Sequence, residues 1–135
     1  MVLTLPHNTV IKRLVRRSSL IFPVNVSRFV EKAYTRGADC IVMDLEDSVP
    51  EAEKEAARAL VKESILVVGK GGGDVAVRIN RPISQATLDL EASVWPGLTC
   101  VSLPRVESAE EVQVRADIIT ELERRRGVEA GAVQI

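Results

Sequence analysis

Three carboxylates follow an apolar run in the stretch "CIVMDLEDSVPEAEKEAAR", which covers residues 40 to 58. Asp44, Glu46 and Asp47 stand where the apolar segment ends and a helix-forming segment begins. Burying a carboxylate without a partner is costly, so these groups must either pair with an arginine or face a solvated site that holds a cation. Val42, Asp44 and Glu46 share one face of an extended segment, since side chains alternate with period two.

Arg78 is the natural partner of these acids, because it lies in the otherwise apolar segment "VAVRIN" (75 to 80). Its guanidinium offers two parallel donors shaped for a carboxylate, whether from Glu46 or from a substrate. A purely structural ion pair stays open for Arg78. The same holds for a helix-dipole effect at Asp47 and a solvated surface position for Arg105.

Few other residues can do chemistry. His7 is the only histidine and lies near the N-terminus. Acid–base work must therefore come from carboxylates, arginine, lysine or a metal-bound water. Cys40 and Cys100 each open an apolar stretch without a CxxC pattern. We expect both to be buried as small hydrophobic residues in a reducing compartment.

The composition indicates one globular unit, with 135 residues, 46% hydrophobic residues and a net charge of -1. The balanced charge argues against nucleic-acid binding, and no apolar run is long enough for a membrane span. We expect a cytoplasmic protein. The first thirty residues hold five basic residues and no acidic one, which leaves a transit peptide and the mitochondrial matrix as an alternative to a basic N-terminal arm over 1–16.

Apolar runs alternate with helical patterns along the chain. Strands are predicted at 18–24, 40–46, 75–80 and 97–106, with "GAVQI" as the start of a fifth. Helices are predicted after Val26 with a stop at Gly37, after a capping box of Ser48 and Glu51, over 84–93, and after a second capping box of Ser108 and Glu111. "GKGGGD" (69 to 74) is predicted to be a flexible linker.

Repeated strand and helix units predict an α/β fold with parallel strands. An open doubly wound sheet and part of a (β/α)8 barrel compete, but no glycine fingerprint follows the first strand. In barrels, functional residues sit at the carboxyl ends of the strands. Here those ends carry polar groups, which are Asn25, the acidic cluster, Arg78 with Asn80, and Arg105. The residues therefore favour part of a (β/α)8 barrel over 17–135, with four βα units and the start of a fifth strand.

Four segments resemble successive blocks of a known family. They are "RRSSLIFP" (16 to 23), "DLEDSVPEAEKEAAR" (44 to 58), "VRIN" (77 to 80) and "LPRVESAEEV" (103 to 112). Together they are similar to the citrate lyase beta-subunit and malyl-CoA lyase group of the HpcH/HpaI aldolase superfamily. One departure is Val24, which stands where the family usually has a glycine.

The resemblance implies a magnesium-dependent lyase that breaks a carbon–carbon bond beside a thioester or keto acid. Arg78 matches the arginine that binds the carboxylate of the oxo-acid, and Arg17, or its neighbour Arg16, matches a further substrate-binding arginine. Glu46 and Asp47 match acids that hold the waters of Mg²⁺. The family's direct metal ligands follow the fifth and sixth strands, so the resemblance implies direct ligands beyond Ile135 and none within this chain.

The expected activity is cleavage of a 3-hydroxyacyl-CoA, such as citryl-CoA or malyl-CoA, to an acyl-CoA and an oxo-acid. The resemblance also implies a TIM barrel of which residues 17–135 are the N-terminal half, since a complete barrel runs to roughly 250 residues. We expect the chain alone to be inactive, because it cannot hold Mg²⁺ without the ligands beyond Ile135. The alternatives are a class II pyruvate aldolase and a non-catalytic half-barrel assembly module. The expected partners are an oxo-acid and an acyl-CoA, without nucleic acid or membrane. The resemblance also implies a homo-oligomer, a trimer or hexamer.

Overall fold

Four strands alternate with four helices in the structure, a computed structural model that describes residues 15–135. Most of the predicted basic arm therefore lies outside the described residues. The elements are β1 (Ser19–Pro23), α1 (Ser27–Ala33), β2 (Cys40–Asp44), α2 (Lys54–Val68), β3 (Asp74–Arg78), α3 (Ile83–Ser93), β4 (Cys100–Ser102) and α4 (Ala109–Arg126). Within 15–135, no helix has both the length and the apolar content needed to cross a membrane.

The four strands form one parallel sheet in the order β1, β2, β3, β4. The helices cover one face, where strand residues such as Ile41, Met43, Val75 and Val77 join the main apolar core. A doubly wound sheet reverses its strand order at a switch point and carries helices on both faces. Sequential parallel strands with helices on one face instead have the arrangement of a partial TIM barrel, which confirms the predicted fold class.

The opposite face of the sheet carries no helix among the described residues. A small cluster of Cys40, Ala76, Cys100 and Val42 lies there. Both cysteines are free and buried, as predicted. Ile21 belongs to the same face, because it pairs in register with Val42, and is 48% exposed. We call this surface the bare face.

The predicted fifth strand is present only as its beginning. Gln134 forms an isolated parallel bridge with Cys100, and the neighbouring Val133 is buried. Ile135 follows this bridge and is 46% exposed. The bridge continues the sheet beyond β4 in the same direction.

The buried face of α2 includes one of the apolar residues whose pattern predicted this helix, which are Ala52, Ala56, Ala59, Leu60 and Ile65. Ile65 is buried, whereas the three alanines are exposed and Leu60 is 43% exposed. The other buried residues of α2 are Lys54, Ala57, Val61, Ser64 and Val68. Burial of Val61 and Val68 removes more apolar area from water than burial of the exposed alanines would.

One of the two serines of the predicted capping boxes caps its helix. Ser108 is the N-cap of α4 and its Oγ accepts a hydrogen bond from Glu111 N at 3.2 Å. Ser48 does not cap α2, because a 3-10 turn over Glu51–Glu53 precedes that helix and no side chain caps either element.

The glycine segment after α2 is a packed turn rather than a flexible linker. Gly69–Gly71 forms a 3-10 turn, and Gly72 has a left-handed backbone with φ 76°. A Cβ on Gly71 would stand 2.7 Å from the backbone oxygen of Tyr34. The glycines are therefore needed for close approach to the loop before β2.

Candidate functional site

The carboxyl ends of β2 and β3 bring an acid and a guanidinium together. Asp44 and Arg78 are register partners in the parallel pair. Arg78 donates to Asp44 through Nε to Oδ1 at 2.8 Å and through Nη2 to Oδ2 at 2.9 Å. Such a bidentate contact is the strongest form of ion pair between these groups. We call the carboxyl ends of the strands, with the loops that follow them, the carboxyl edge.

Asp44 is fully engaged at the carboxyl edge. Besides Arg78, it accepts hydrogen bonds from Glu46 N at 2.9 Å, from Ser48 N at 3.0 Å and from the Ser48 hydroxyl. Burial alone would raise the pKa of Asp44, but these hydrogen bonds outweigh it and hold the pKa well below its usual range. Ser48 thus stabilises the acid that ends β2 rather than the start of α2. Asp44 fixes Arg78 and shapes the loop.

Glu46 has fewer contacts. Its Oε2 lies 3.3 Å from Arg78 Nε, and its Oε1 lies 3.7 Å from Arg105 Nη2. Its side chain is 10% exposed, yet within residues 15–135 no hydrogen bond reaches its carboxylate. Glu46 is therefore the nearly buried acid at this edge that remains available to a ligand or a proton.

Asp47 and Arg105 lie on the solvent side of the carboxyl edge. Arg105 Nη2 lies 3.3 Å from Asp47 Oδ1, with side chains 68% and 60% exposed. Arg105 is the one non-glycine residue of the described range with a positive φ, at 49°. The structure brings Arg78, Glu46 and Asp47 to the same edge of the sheet, and their roles stay predictions. The expected pairing of Arg78 with Glu46 is secondary to its pairing with Asp44.

Lys54 supports this edge from the helix side of the sheet. Its Nζ donates to Leu45 O, to Glu46 O and to Asn80 Oδ1, each at 2.8 Å. Asn80 Nδ2 also donates to Leu45 O, at 2.9 Å. The three protons of a buried ammonium group are thus satisfied by the loop after β2 and the end of β3.

A second buried acid completes the support. Asp89 of α3 is fully buried and accepts from Asn80 N and Nδ2 at 2.7 Å and from Arg58 Nε at 2.6 Å. Lys54, Arg58 and Asp89 were not identified from the sequence. The sequence feature that could have identified this network is Asp89, which lies among the buried residues Ala86, Leu90 and Ser93 of α3. An acid on the buried face of a helix requires a partner.

Arg17 lies at the other edge of the sheet. Its guanidinium contacts Asp39 at 3.0 and 3.1 Å, just before β2 begins, and its neighbour Arg16 contacts Asp74 at 3.1 Å, where β3 begins. The strands β2 and β3 are each about 16 Å long, and these arginines lie at their amino ends whereas Arg78 lies at the carboxyl end of β3. We therefore do not expect one small oxo-acid to contact both edges, and the substrate-binding role of Arg17 stays a prediction.

The carboxyl edge does not hold a set of metal ligands. Within residues 15–135, no group of three or more histidine, cysteine, aspartate or glutamate side chains could hold a metal ion. Both oxygens of Asp44 are used by Arg78, while Glu46 and Asp47 face Arg105. The acids present are arranged for guanidinium groups.

The resemblance implies that the direct metal ligands lie beyond Ile135. Ile135 has no ligating side-chain atom, and it follows the Gln134 bridge that begins the fifth strand. Ligands beyond Ile135 would follow a strand of which the structure describes only this beginning. Their position therefore stays a prediction.

The fold and the carboxyl edge place the chain in the class of βα-barrel proteins with a charged site at the carboxyl ends of the strands. The model of the HpcH/HpaI aldolase/citrate lyase family matches residues 17–135. The chain belongs to this family.

Curated relatives agree with this assignment. The citrate lyase subunit beta of Leuconostoc mesenteroides subsp. cremoris is 36% identical over 124 residues, which are 90% of this chain and 40% of the relative. The (3S)-malyl-CoA thioesterase of Cereibacter sphaeroides is 35% identical over 107 residues, 78% of this chain and 38% of the relative. The chain thus spans about two fifths of the length of these curated relatives.

Proposed function

We propose that the carboxyl edge binds the carboxylate of an oxo-acid and serves carbon–carbon bond cleavage of a 3-hydroxyacyl-CoA such as citryl-CoA or malyl-CoA. The observation that carries the proposal is Arg78, which Asp44 holds by two of its donors while its side chain stays 27% exposed. A guanidinium that keeps unused donors toward solvent can take a second carboxylate. The name of one relative, (3S)-malyl-CoA thioesterase, supports the acyl-CoA part of the proposal, and the name of the other, citrate lyase subunit beta, supports the lyase part.

Glu46 is the residue proposed to move a proton. In such a cleavage the substrate hydroxyl loses its proton, the carbon–carbon bond breaks, and the released acyl-CoA enolate takes up a proton. Glu46 has a carboxylate free of hydrogen bonds within the described residues and lies 3.3 Å from the Arg78 guanidinium. A general base must lie within hydrogen-bond reach of its proton, and a ligand held by Arg78 meets that condition at Glu46.

Asp47 is proposed as a second polar contact for the ligand or its waters, because it is 60% exposed beside Arg105. The magnesium ion that the family resemblance implies does not fit the described acids alone. Its direct ligands are proposed to come from beyond Ile135, and no step here is assigned to a metal.

A second activity follows from the other relative. Its name, (3S)-malyl-CoA thioesterase, describes hydrolysis of a thioester rather than cleavage of a carbon–carbon bond. The two reactions have different products. Lyase chemistry leaves the thioester intact and releases an oxo-acid, whereas a thioesterase releases free CoA thiol. A thiol reagent and an oxo-acid assay on the same sample therefore separate them.

Binding tests the proposal more directly than turnover. The purified 135-residue chain is titrated with glyoxylate or oxaloacetate in a calorimeter, with and without MgCl₂. We expect binding that Arg78→Lys weakens about tenfold or more, since a charged hydrogen bond contributes about 1.5–3 kcal/mol and about 1.4 kcal/mol is tenfold. Arg17→Ala is the matched control and should keep the wild-type affinity.

Three results would overturn the proposal. The first is a wild-type chain that binds no oxo-acid. The second is an oxo-acid affinity that Arg78→Lys leaves unchanged in a folded protein. The third is a loss of affinity in Arg17→Ala equal to the loss in Arg78→Lys, which would move the carboxylate site to the opposite edge.

A further inference from the structure

The side chain of Lys54 contacts the main chain of Glu46, the nearly buried acid of the carboxyl edge. The hydrogen-bonded ladder of β2 ends at Asp44, and Leu45 N still donates to Arg78 O at 3.0 Å. The carbonyl oxygens of Leu45 and Glu46 lie beyond that ladder. Both accept from Lys54 Nζ at 2.8 Å. Leu45 O also accepts from Asn80 Nδ2 at 2.9 Å, and Glu46 O also accepts from Val49 N at 3.3 Å. Lys54 therefore adds the one charged donor, and the shorter contact, at each of these two carbonyl oxygens.

The main chain of Glu46 is held from both sides. Its N–H donates to Asp44 Oδ1 at 2.9 Å, and its C=O accepts from Lys54. Leu45 is fully buried in the helix-side core, and side chains alternate, so Glu46 points to the face where Arg78 lies. Fixing this peptide fixes the direction of the carboxylate.

The Glu46 carboxylate is held less firmly than its main chain within the described residues. Its contacts to Arg78 and Arg105 measure 3.3 and 3.7 Å. The side chain is therefore aimed by its backbone rather than by its own hydrogen bonds. An acid that is aimed but not saturated can exchange its guanidinium contacts for a ligand without a large rearrangement.

We infer that Lys54 is a positioning residue for the carboxyl edge: its ammonium group sets the orientation of the Leu45 and Glu46 peptides and so the aim of the Glu46 carboxylate. The inference rests on the proposed function only in taking Glu46 as a residue that acts on a ligand. Lys54 itself reaches no ligand, because its three protons are used by Leu45, Glu46 and Asn80.

The test compares Lys54→Met with Arg58→Met. Both variants remove one cation from α2, one turn apart, and both disturb the same buried network, since Arg58 Nε donates to Asp89 at 2.6 Å. Of these two cations, only Lys54 donates to the Glu46 carbonyl oxygen. Hydrogen exchange followed by NMR gives the protection of the Glu46 N–H relative to that of Val77 N–H, which lies in the buried centre of β3.

A positioning role predicts that this ratio falls at least tenfold in Lys54→Met and stays at the wild-type value in Arg58→Met. A merely structural role lowers the protection of both amides together, so the ratio is unchanged in both variants, and that result would overturn the inference. If Lys54→Met does not fold, Lys54→Gln is measured in the same way against the same two outcomes.

Oxo-acid binding forms a second, separate arm. Lys54→Met is expected to weaken glyoxylate binding more than Arg58→Met does. If the wild-type chain binds no oxo-acid, the proposed function fails, while the exchange ratio still decides the role of Lys54. If the ratio is unchanged but the oxo-acid binds through Arg78, only the positioning role fails.

Discussion

Asp44 and Glu46 are two residues apart in the sequence but have different surroundings. The Asp44 carboxylate accepts five hydrogen bonds and is fully buried, whereas the Glu46 carboxylate has only long contacts to two guanidinium groups within the described residues. Alternation along β2 correctly predicted that both acids share a face. It could not show which acid pairs with Arg78, because that depends on the register between β2 and β3.

The first residue-scale prediction concerns Asp44→Asn. Removing one partner of a buried ion pair leaves the other uncompensated, and we expect a loss of about 3 kcal/mol in unfolding free energy at pH 7. Denaturant unfolding measures this. Asp47→Asn is the control, because Asp47 is 60% exposed, and its cost should stay within about 0.5 kcal/mol.

The pH dependence of this difference has a definite sign. The folded pKa of Asp44 lies below its unfolded value of about 3.9, so the stabilisation is complete above pH ~4 and is lost as the pH falls. The gap between wild type and Asp44→Asn should therefore shrink below pH ~4. A gap that stays constant down to pH ~2 would contradict this assignment.

Arg17 provides the second residue-scale prediction. Hydrogen bonds from the Arg17 side chain and backbone lower the pKa of Asp39 to about 2. In Arg17→Ala the pKa of Asp39 should rise toward its ordinary value of about 3.9, as followed by carboxyl carbon NMR. Arg78→Lys should leave it unchanged. An Asp39 that titrates normally in the wild type would show that this contact is not formed.

At the scale of elements, the order and type of the strands and helices could be predicted, but the facing of α2 could not. Two apolar stripes one residue apart fit its sequence. The buried stripe contains Lys54 and Ser64, and polar residues of these types are not predicted to be buried. Lys54 is buried because it donates to Leu45 O, Glu46 O and Asn80 Oδ1, which all lie outside its own helix. Ser64 is buried because its hydroxyl donates to Leu60 O within the helix at 2.7 Å.

The glycine turn after α2 gives a prediction at the same scale. Gly71→Ala would place a Cβ 2.7 Å from the Tyr34 backbone oxygen, and we expect it to cost about 1–3 kcal/mol of unfolding free energy. Gly69→Ala is a matched control in the same turn, because its nearest neighbour is Val75 Cγ2 at 3.7 Å and its φ is -70°.

The control should be neutral or stabilising by up to about 1 kcal/mol, since alanine restricts the unfolded chain more than glycine does. Chemical unfolding of both variants checks the pair. Equal stabilities would indicate that the segment is the flexible linker that its composition predicts.

At the scale of the whole molecule, two surfaces of the sheet lack partners within the described residues. One is the bare face. The other is the outer edge of β1, beside a groove of about 610 Å³ between β1 and α1. The exposed Ile21 and Phe29 line this groove together with Arg28, Lys32 and Arg36. Open strand edges and apolar patches favour association.

We therefore predict concentration-dependent self-association of the 135-residue chain, measured by sedimentation. Ile21→Lys should weaken it, because a charge on an edge strand disfavours pairing and desolvation of that face. Leu66→Lys is the control, since Leu66 is 68% exposed on α2, away from the sheet. A wild-type chain that stays monomeric at high concentration, or equal effects of both variants, would contradict the prediction.

The central claim is that Arg78, anchored by Asp44, is the carboxylate-binding group of this chain. Its most direct test is a titration of the isotope-labelled chain with glyoxylate, followed through the guanidinium NMR signals of its arginines. The account predicts that the Arg78 signals shift to saturation while those of Arg17 do not move. Saturating shifts at Arg16 or Arg17 with Arg78 unaffected would contradict it.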